Sequence, residues 1–299
     1  MPELPDVVVY VEALERRVLG QPVEAIDVRG ISVLKTYDPP LAAAQGRTVT
    51  GLRRLGKRIV FELEDELFLV IHLMVGGRLR WADVGAKIPG KVGLAALRVP
   101  TGTLLLVEAS KKKRASMWLH AGEDEMLAEH DRQGAEPLEI DRDTFVARLT
   151  SRNRTLKRAL TDPTIFSGIG NAYSDEILLH ARLSPVRRTA QLDPDELTAL
   201  YESTQTTLRM WLDRFREEVG DGWPEKVTAF RPDMVVHGKY REPCAVCGTE
   251  VQRIRYAENE VNYCPTCQND GKVLADRSLS RLLKDDWPKT VEDLEDFRA

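Results

Sequence analysis

No stretch of about 18 consecutive apolar residues occurs in this 299-residue chain, so no membrane-spanning helix is expected. The start, Met1-Pro2-Glu3-Leu4-Pro5-Asp6, lacks the basic and apolar segments of a secretion signal, and a cytoplasmic protein is expected, nucleoid-associated if bacterial. Four cysteines are too few to staple a chain of this size as a disulfide scaffold. No internal repeat or low-complexity tract is present. Positive charge is also in short supply. The net charge is −4, which taken alone argues against a nucleic-acid partner.

The distribution weakens that argument. Residues 122–143 hold nine acids against two bases, Arg132 and Arg142, so the remainder of the chain is net positive. Three basic clusters stand out: Arg53, Arg54, Lys57 and Arg58; Lys111 to Arg114; and Arg152, Arg154, Lys157 and Arg158. Any one of them reads as solvated surface. Several together suit phosphate.

A hydrophobic fraction of 42% with 30% charged residues is that of a soluble globular chain, and the length suggests about two domains. Val7, Val8, Tyr10, Val11, Leu14 and Val18 form one helical face over 5–19, stopped at Gly20. Residues 21–120 read as short strands without a βαβ rhythm. Ile59–Leu63 and Leu67–Ile71 flank a turn at Asp65-Glu66, and Gly102 marks another turn. A sandwich or barrel is expected there. The acidic stretch 122–143 reads as a linker, and the chain beyond it as helical. Asp193-Pro194-Asp195-Glu196 is a helix start with cap, proline and returning glutamate, and Leu197 to Phe215 continue one face. A short helix pattern appears at Leu274–Lys284.

Cys244-x2-Cys247 and Cys264-x2-Cys267 are separated by 16 residues, the spacing of a zinc ribbon. Four thiolates close a tetrahedral site with no open position, so one structural zinc is expected, the competing reading being a redox or disulfide pair. Ser167-Gly168-Ile169-Gly170-Asn171-Ala172-Tyr173 lies between helical stretches, where two glycines permit close approach of backbone to a ligand or simply make a turn. Met-Pro by itself is usually just a beginning, but removal of Met1 would leave Pro2 as a secondary amine. Such an amine can attack a sugar C1′ and give a charged iminium, with Glu3 placed to move protons.

Together these pieces resemble the bifunctional DNA glycosylase/AP lyases of the Fpg (MutM)/Nei type. The resemblance rests on Pro2-Glu3-Leu4-Pro5, Leu55-Gly56-Lys57-Arg58, Ile71-His72-Leu73-Met74, Gly168 to Glu176 and the four-cysteine finger, and covers roughly residues 1–270. It implies an α+β multidomain fold: an N-terminal β-sandwich with a leading helix, then a helix–two-turn–helix domain with a four-cysteine zinc finger. The corresponding segments are 1–121 for the catalytic sandwich, 122–140 for an acidic linker, 141–235 for the helical domain, 236–270 for the finger and 271–299 for an extension. The implied partner is double-stranded DNA with a damaged base or abasic site, bound by a monomer that does not engage membranes.

By the same resemblance Pro2 is the Schiff-base nucleophile, Glu3 the proton donor, and Lys57 a phosphate contact that assists proton transfer. Met74 fills the gap left by the flipped nucleotide, and Asn171 holds a phosphate. Lys157, Arg114, Arg253 and Arg255 add DNA contacts. Three departures stand out. Asn259 occupies the place of a common finger arginine, which Arg253 or Arg255 could replace. Ser110 to Ser116 supplies Arg114 but no Phe for a wedge. Residues 271–299 extend past the usual end. A weakly catalytic or non-catalytic binder of damaged DNA is the alternative reading, and a zinc-ribbon interaction protein without a DNA role is a third.

Overall fold

The computed structural model describes residues 1–225, 227, 231–256, 259–274 and 287–298. The chain divides into two units: Met1–Arg132 with Trp211–Ala229, and Gln133–Met210 with Phe230–Ala299. The fold is α+β: a helix-led β-sandwich in the first unit, helices and a hairpin flanked by the cysteines in the second.

In the first unit, α1 (Leu4–Val18) buries Val7, Tyr10, Val11, Leu14 and Val18. Two antiparallel four-stranded sheets come next. One has the order β2 (Val49–Leu55), β3 (Arg58–Leu63), β4 (Leu67–His72), β8 (Ser116–Ala121). The other has β1 (Ala25–Val28), β6 (Gly93–Val99), β7 (Gly102–Glu108), β5 (Gly77–Ala82). Alternate residues Ile59, Phe61, Leu69 and Ile71 enter the common core with Leu97, Leu104 and Leu106. The opposite face of β3 and β4 is apolar as well, and Val60, Phe68 and Val70 are covered by Met126. Near-continuous apolar runs in these strands follow from cover on both faces.

Met126 belongs to α2 (Glu123–His130), which occupies ground the acidic composition assigns to a linker. Three acids in its first turn complement the helix dipole, and their charge masks a helix with one buried face. The division between units falls after it, at Arg132.

The second unit holds α3 (Arg142–Thr150), α4 (Leu156–Thr161), α5 (Asn171–His180) and the start of α6 (Pro194–Val219). Asp193 and Glu196 cap α6 reciprocally: each backbone N–H donates to the other's carboxylate, at 3.0 and 2.9 Å. Phe145 stacks on Phe166 at 4.6 Å and meets Tyr201 edge-on. Strands β9 (Gln252–Tyr256) and β10 (Asn259–Tyr263) form a hairpin, followed by α7 (Pro265–Asn269). A terminal helix spans Val291–Arg298. The pattern over Leu274–Lys284 lies, beyond Leu274, outside the described residues. No helix among those described is long and apolar enough to cross a membrane.

Candidate functional site

Pro2 and Glu3 lie buried at the N-terminus of α1. The Glu3 backbone N–H donates to Asp6 Oδ2 at 2.8 Å, which anchors the first turn. Asp6 is itself buried, and burial pushes its carboxyl up to about 7 despite the Glu3 hydrogen bond. Its Oδ1 has no hydrogen-bond partner among the described residues. The α-ammonium of Met1 is pushed down, first by burial, with Glu3 and Asp6 opposing and Arg78 and Lys57 assisting. These four side chains therefore set the electrostatics of the chain start. The sequence singles out Glu3 and Lys57 but not Asp6 or Arg78, neither of which is among the candidate site residues.

Lys57 sits in the two-residue turn joining β2 and β3, where Leu55 pairs with Arg58. Gly56 at φ +61° takes the first turn position, which demands glycine in a tight hairpin of this type. The neighbouring His72 is pushed down to about 3 by burial, then by Arg58 and Lys57, and so stays neutral. Met74 occupies the connection between β4 and β5 with φ +52°, unusual for a side-chain-bearing residue, next to exposed Val75.

The basic loop after β7 is organised by one buried acid. Glu108 Oε2 accepts from the Arg114 and Ala115 N–H groups at 2.8 and 2.9 Å, and Oε1 accepts from Ser110 Oγ at 2.5 Å. Lys113 Nζ donates to the Glu108 carbonyl. A lone Glu at a strand end carries no sequence signal for this role. In the first basic cluster Arg53 is paired with Glu62 and Glu123.

In the second unit Asn171 is the first residue of α5, after Gly168 at φ +81° and the cap Gly170. Its Nδ2 donates to the Glu260 carbonyl of β10 at 2.7 Å. Lys157, expected among the DNA contacts, is 8% exposed. Its ammonium donates to Asp175 Oδ1 at 2.5 Å and to the Asn171 carbonyl at 2.6 Å. Asp175 Oδ2 also meets His237 Nδ1 at 2.8 Å and accepts from the Asn262 N–H at 3.1 Å. Glu176 accepts from the N–H groups of Val235, Val236 and His237. Lys157 thus faces a buried network tying α4 and α5 to the finger, while Arg158 beside it is exposed. In the same cluster Arg154 pairs with Asp162.

On the hairpin, Arg255 is exposed, and Arg253 lies over the Tyr240 ring at 4.0 Å and 3.5 Å from Glu260. Asn259 pairs with Tyr256 at the start of β10.

The four cysteines converge, all four Sγ atoms lying within 4.8 Å of one another. The Val246 and Cys267 N–H groups donate to the sulfurs of Cys244 and Cys264 at 3.4 Å. Burial pushes the Cys264 and Cys267 thiols up, Cys267 to about 11, while Cys247, against its burial, is brought down to about 7 by hydrogen bonds with Thr249, Cys267 and Cys264. The donor set fits one structural zinc and leaves no position for substrate.

Family models match residues 1–135 (formamidopyrimidine-DNA glycosylase N-terminal domain), 134–218 (its H2TH domain) and 241–269 (zinc finger found in FPG and IleRS). The chain is 34% identical over 279 residues to the formamidopyrimidine-DNA glycosylase of an Acidovorax species, covering 90% of this chain and 99% of that one. An uncharacterized formamidopyrimidine-DNA glycosylase-like protein of Mycobacterium tuberculosis is 39% identical over 151 residues, half of this chain and 94% of the relative. Among solved structures, the Lactococcus lactis Fpg in complex with N7-benzyl-Fapy-dG DNA superposes with a TM-score of 0.79 at 26% identity, covering 90% of this chain and all of that one. A complex of the same bacterium's Fpg with abasic-site DNA gives 0.77 at 26% identity, covering 89% and 99% of the two chains.

Proposed function

Because the chain belongs to the formamidopyrimidine-DNA glycosylase family, we propose that it excises damaged bases from double-stranded DNA and nicks the strand at the abasic site. The observation that carries the reading is the chain start, where Pro2 and Glu3 are buried at the N-terminus of α1 and Glu3, Asp6, Arg78 and Lys57 act electrostatically on the amino terminus.

With Met1 removed, the Pro2 nitrogen is a secondary amine. A setting that depresses an ammonium raises the fraction of free, nucleophilic amine. The nitrogen attacks C1′, the bond from C1′ to the base breaks, and the base leaves with a proton that Glu3 supplies. The Pro2 nitrogen then gives its proton to the Glu3 carboxylate, which passes it to O4′ as the C1′–O4′ bond breaks, and an iminium forms between Pro2 and C1′. That iminium withdraws electrons, so the C2′ proton is lost to a base and the 3′ phosphate departs with the bond from C3′. Water then hydrolyses the iminium and restores the amine. Lys57, in the turn joining β2 and β3, contacts phosphate and assists the proton steps.

A stacked base cannot be attacked at C1′, so the nucleotide is extruded and Met74 fills the gap. The left-handed turn that carries Met74 suits a projecting wedge. Arg114, Asn171, Arg253 and Arg255 hold the sugar–phosphate backbone. Asn171 can do so only by releasing or sharing its bond to Glu260. The zinc of the finger is structural and takes no part in the reaction.

A second reading, a binder of damaged DNA with little turnover, is favoured by Asn259 in the finger and by the absence of Phe from the 110–116 loop. Borohydride trapping on abasic DNA separates the two, with intact mass confirming loss of Met1. The processed protein is expected to form a covalent adduct. A form with one residue added before Pro2 has an amide there and is expected to form none while still binding an uncleavable abasic analogue. Equal trapping by both forms rules out Pro2 as nucleophile and directs attention to Lys57.

A further inference from the structure

Outside the cysteines, one further cluster of metal-ligating side chains converges among the described residues, in the first unit. His120, near the end of β8, and His130, the last residue of α2, are 0% and 2% exposed. Their Nε2 atoms face each other 3.0 Å apart. His120 Nδ1 lies 3.2 Å from Glu125 Oε1. An ionised carboxylate only accepts, so this contact keeps the hydrogen on Nδ1 and leaves a lone pair on Nε2, aimed at His130. Glu129 Oε2 stands 3.7 Å from His120 Nε2, and the three donor atoms lie within 4.8 Å of one another.

We propose that His120, His130 and Glu129 hold a divalent transition-metal cation of the zinc class, separate from the four-cysteine finger. Two zinc–nitrogen bonds of ordinary length at a tetrahedral angle place their nitrogens about 3.3 Å apart, close to the observed spacing. Two imidazoles and one carboxylate are a recurrent zinc donor set that leaves a fourth position for water. Glu125 supplies the outer carboxylate that orients a ligating histidine. Entry is open from the helix side, since the Glu125 and Glu129 side chains are about half exposed. Arg58 and Arg132 act electrostatically on His130, so a hard cation held by charge alone is disfavoured. Nitrogen donors select zinc, cobalt or nickel over magnesium or calcium. The bound ion would join the end of α2 to β8.

The test titrates the metal-depleted full chain with Co²⁺ and then Zn²⁺. About two ions per chain are expected, one with thiolate-to-cobalt charge-transfer bands and one with only the weaker ligand-field bands of nitrogen and oxygen donors. His120→Asn and His130→Asn are expected to remove the second ion and keep the thiolate bands, which also report an intact finger. If either variant fails to fold, Glu129→Gln, on a half-exposed side chain, is expected to weaken the second site by about 10-fold or more. Zinc beyond saturation of the finger is expected to raise the melting temperature of the wild type and not of the variants. A wild type that saturates at one ion, with thiolate bands alone, overturns the proposal and leaves a hydrogen bond between two imidazoles. A second ion that survives in all variants overturns the ligand assignment.

Discussion

Asp6 shows how a single side chain can matter to both chemistry and stability. Its carboxyl is ordinary in the unfolded chain but is pushed up to about 7 by burial in the folded one. Between the two values the folded state holds a proton that the unfolded state has lost. Stability from this group is therefore present at low pH and falls as pH rises from about 4 to about 7. Asp6→Asn keeps an acceptor for the Glu3 N–H and abolishes the titration. Melting temperatures across that window are expected to fall less steeply in the variant than in the wild type, and parallel curves would contradict the assignment. Lys157 offers a second residue-scale test. Lys157→Met strands the fully buried Asp175 without its ammonium and is expected to cost about 3–5 kcal/mol, part of it restored by adding Asp175→Asn. The salt dependence of DNA binding is expected to be unchanged, whereas loss of a phosphate contact lowers its slope by about 1. Spacing within a basic run gives no means of telling Lys157 from Arg158. One faces inward and the other outward because α4 presents only one face to α5.

At the scale of elements, the strands and their turns are legible because period-two patterning and turn chemistry act locally. Asp65-Glu66 and the Asp193–Glu196 cap sit where residue type alone puts them, whereas Gly102, expected at a turn, opens β7 opposite Val99 and the turn falls on Pro100-Thr101. The helix α2 is hidden for a physical reason. Its acids are outside and its apolar anchors are only Met126, buried, and Leu127, partly buried, so composition reads as linker. Met126→Ala is expected to cost about 2–5 kcal/mol in chemical denaturation, the cost of emptying a core position, where a linker residue would cost almost nothing. The candidate site divides similarly. Motif residues such as Pro2, Glu3 and Lys57 are found by resemblance. Asp6, which accepts from the Glu3 N–H, and Glu108, which accepts from the Arg114 and Ala115 N–H groups, lie outside those motifs, and it is their burial that sequence alone does not reveal.

At the scale of the whole molecule, the finger is closed by metal rather than by a large apolar core. Around its cysteines the buried apolar residues are few, chiefly Leu179, Val236 and Val251. Cys244→Ser leaves three sulfur ligands and is expected to lower zinc content and DNA affinity at temperatures where the sandwich still melts normally. Stoichiometric zinc with unchanged affinity in that variant would refute it. The network through Asp175, His237 and Asn262 explains why the loss should reach beyond the finger, since it fastens α5 to β10.

The first unit is not one continuous stretch of chain. Trp223 and Val227 complete its core: Trp223 lies 5.6 Å from Tyr10 and donates to the Leu79 carbonyl, while Val227 is buried among the sandwich residues. On the ribosome those residues emerge about a hundred positions after Arg132. At ordinary elongation rates the nascent sandwich waits roughly 5–20 s with Tyr10 and Trp81 uncovered. The second unit can finish folding no earlier, because its finger is translated later still. Synthesis therefore imposes an order in which the first unit begins first and closes only after much of the second unit's sequence has been made.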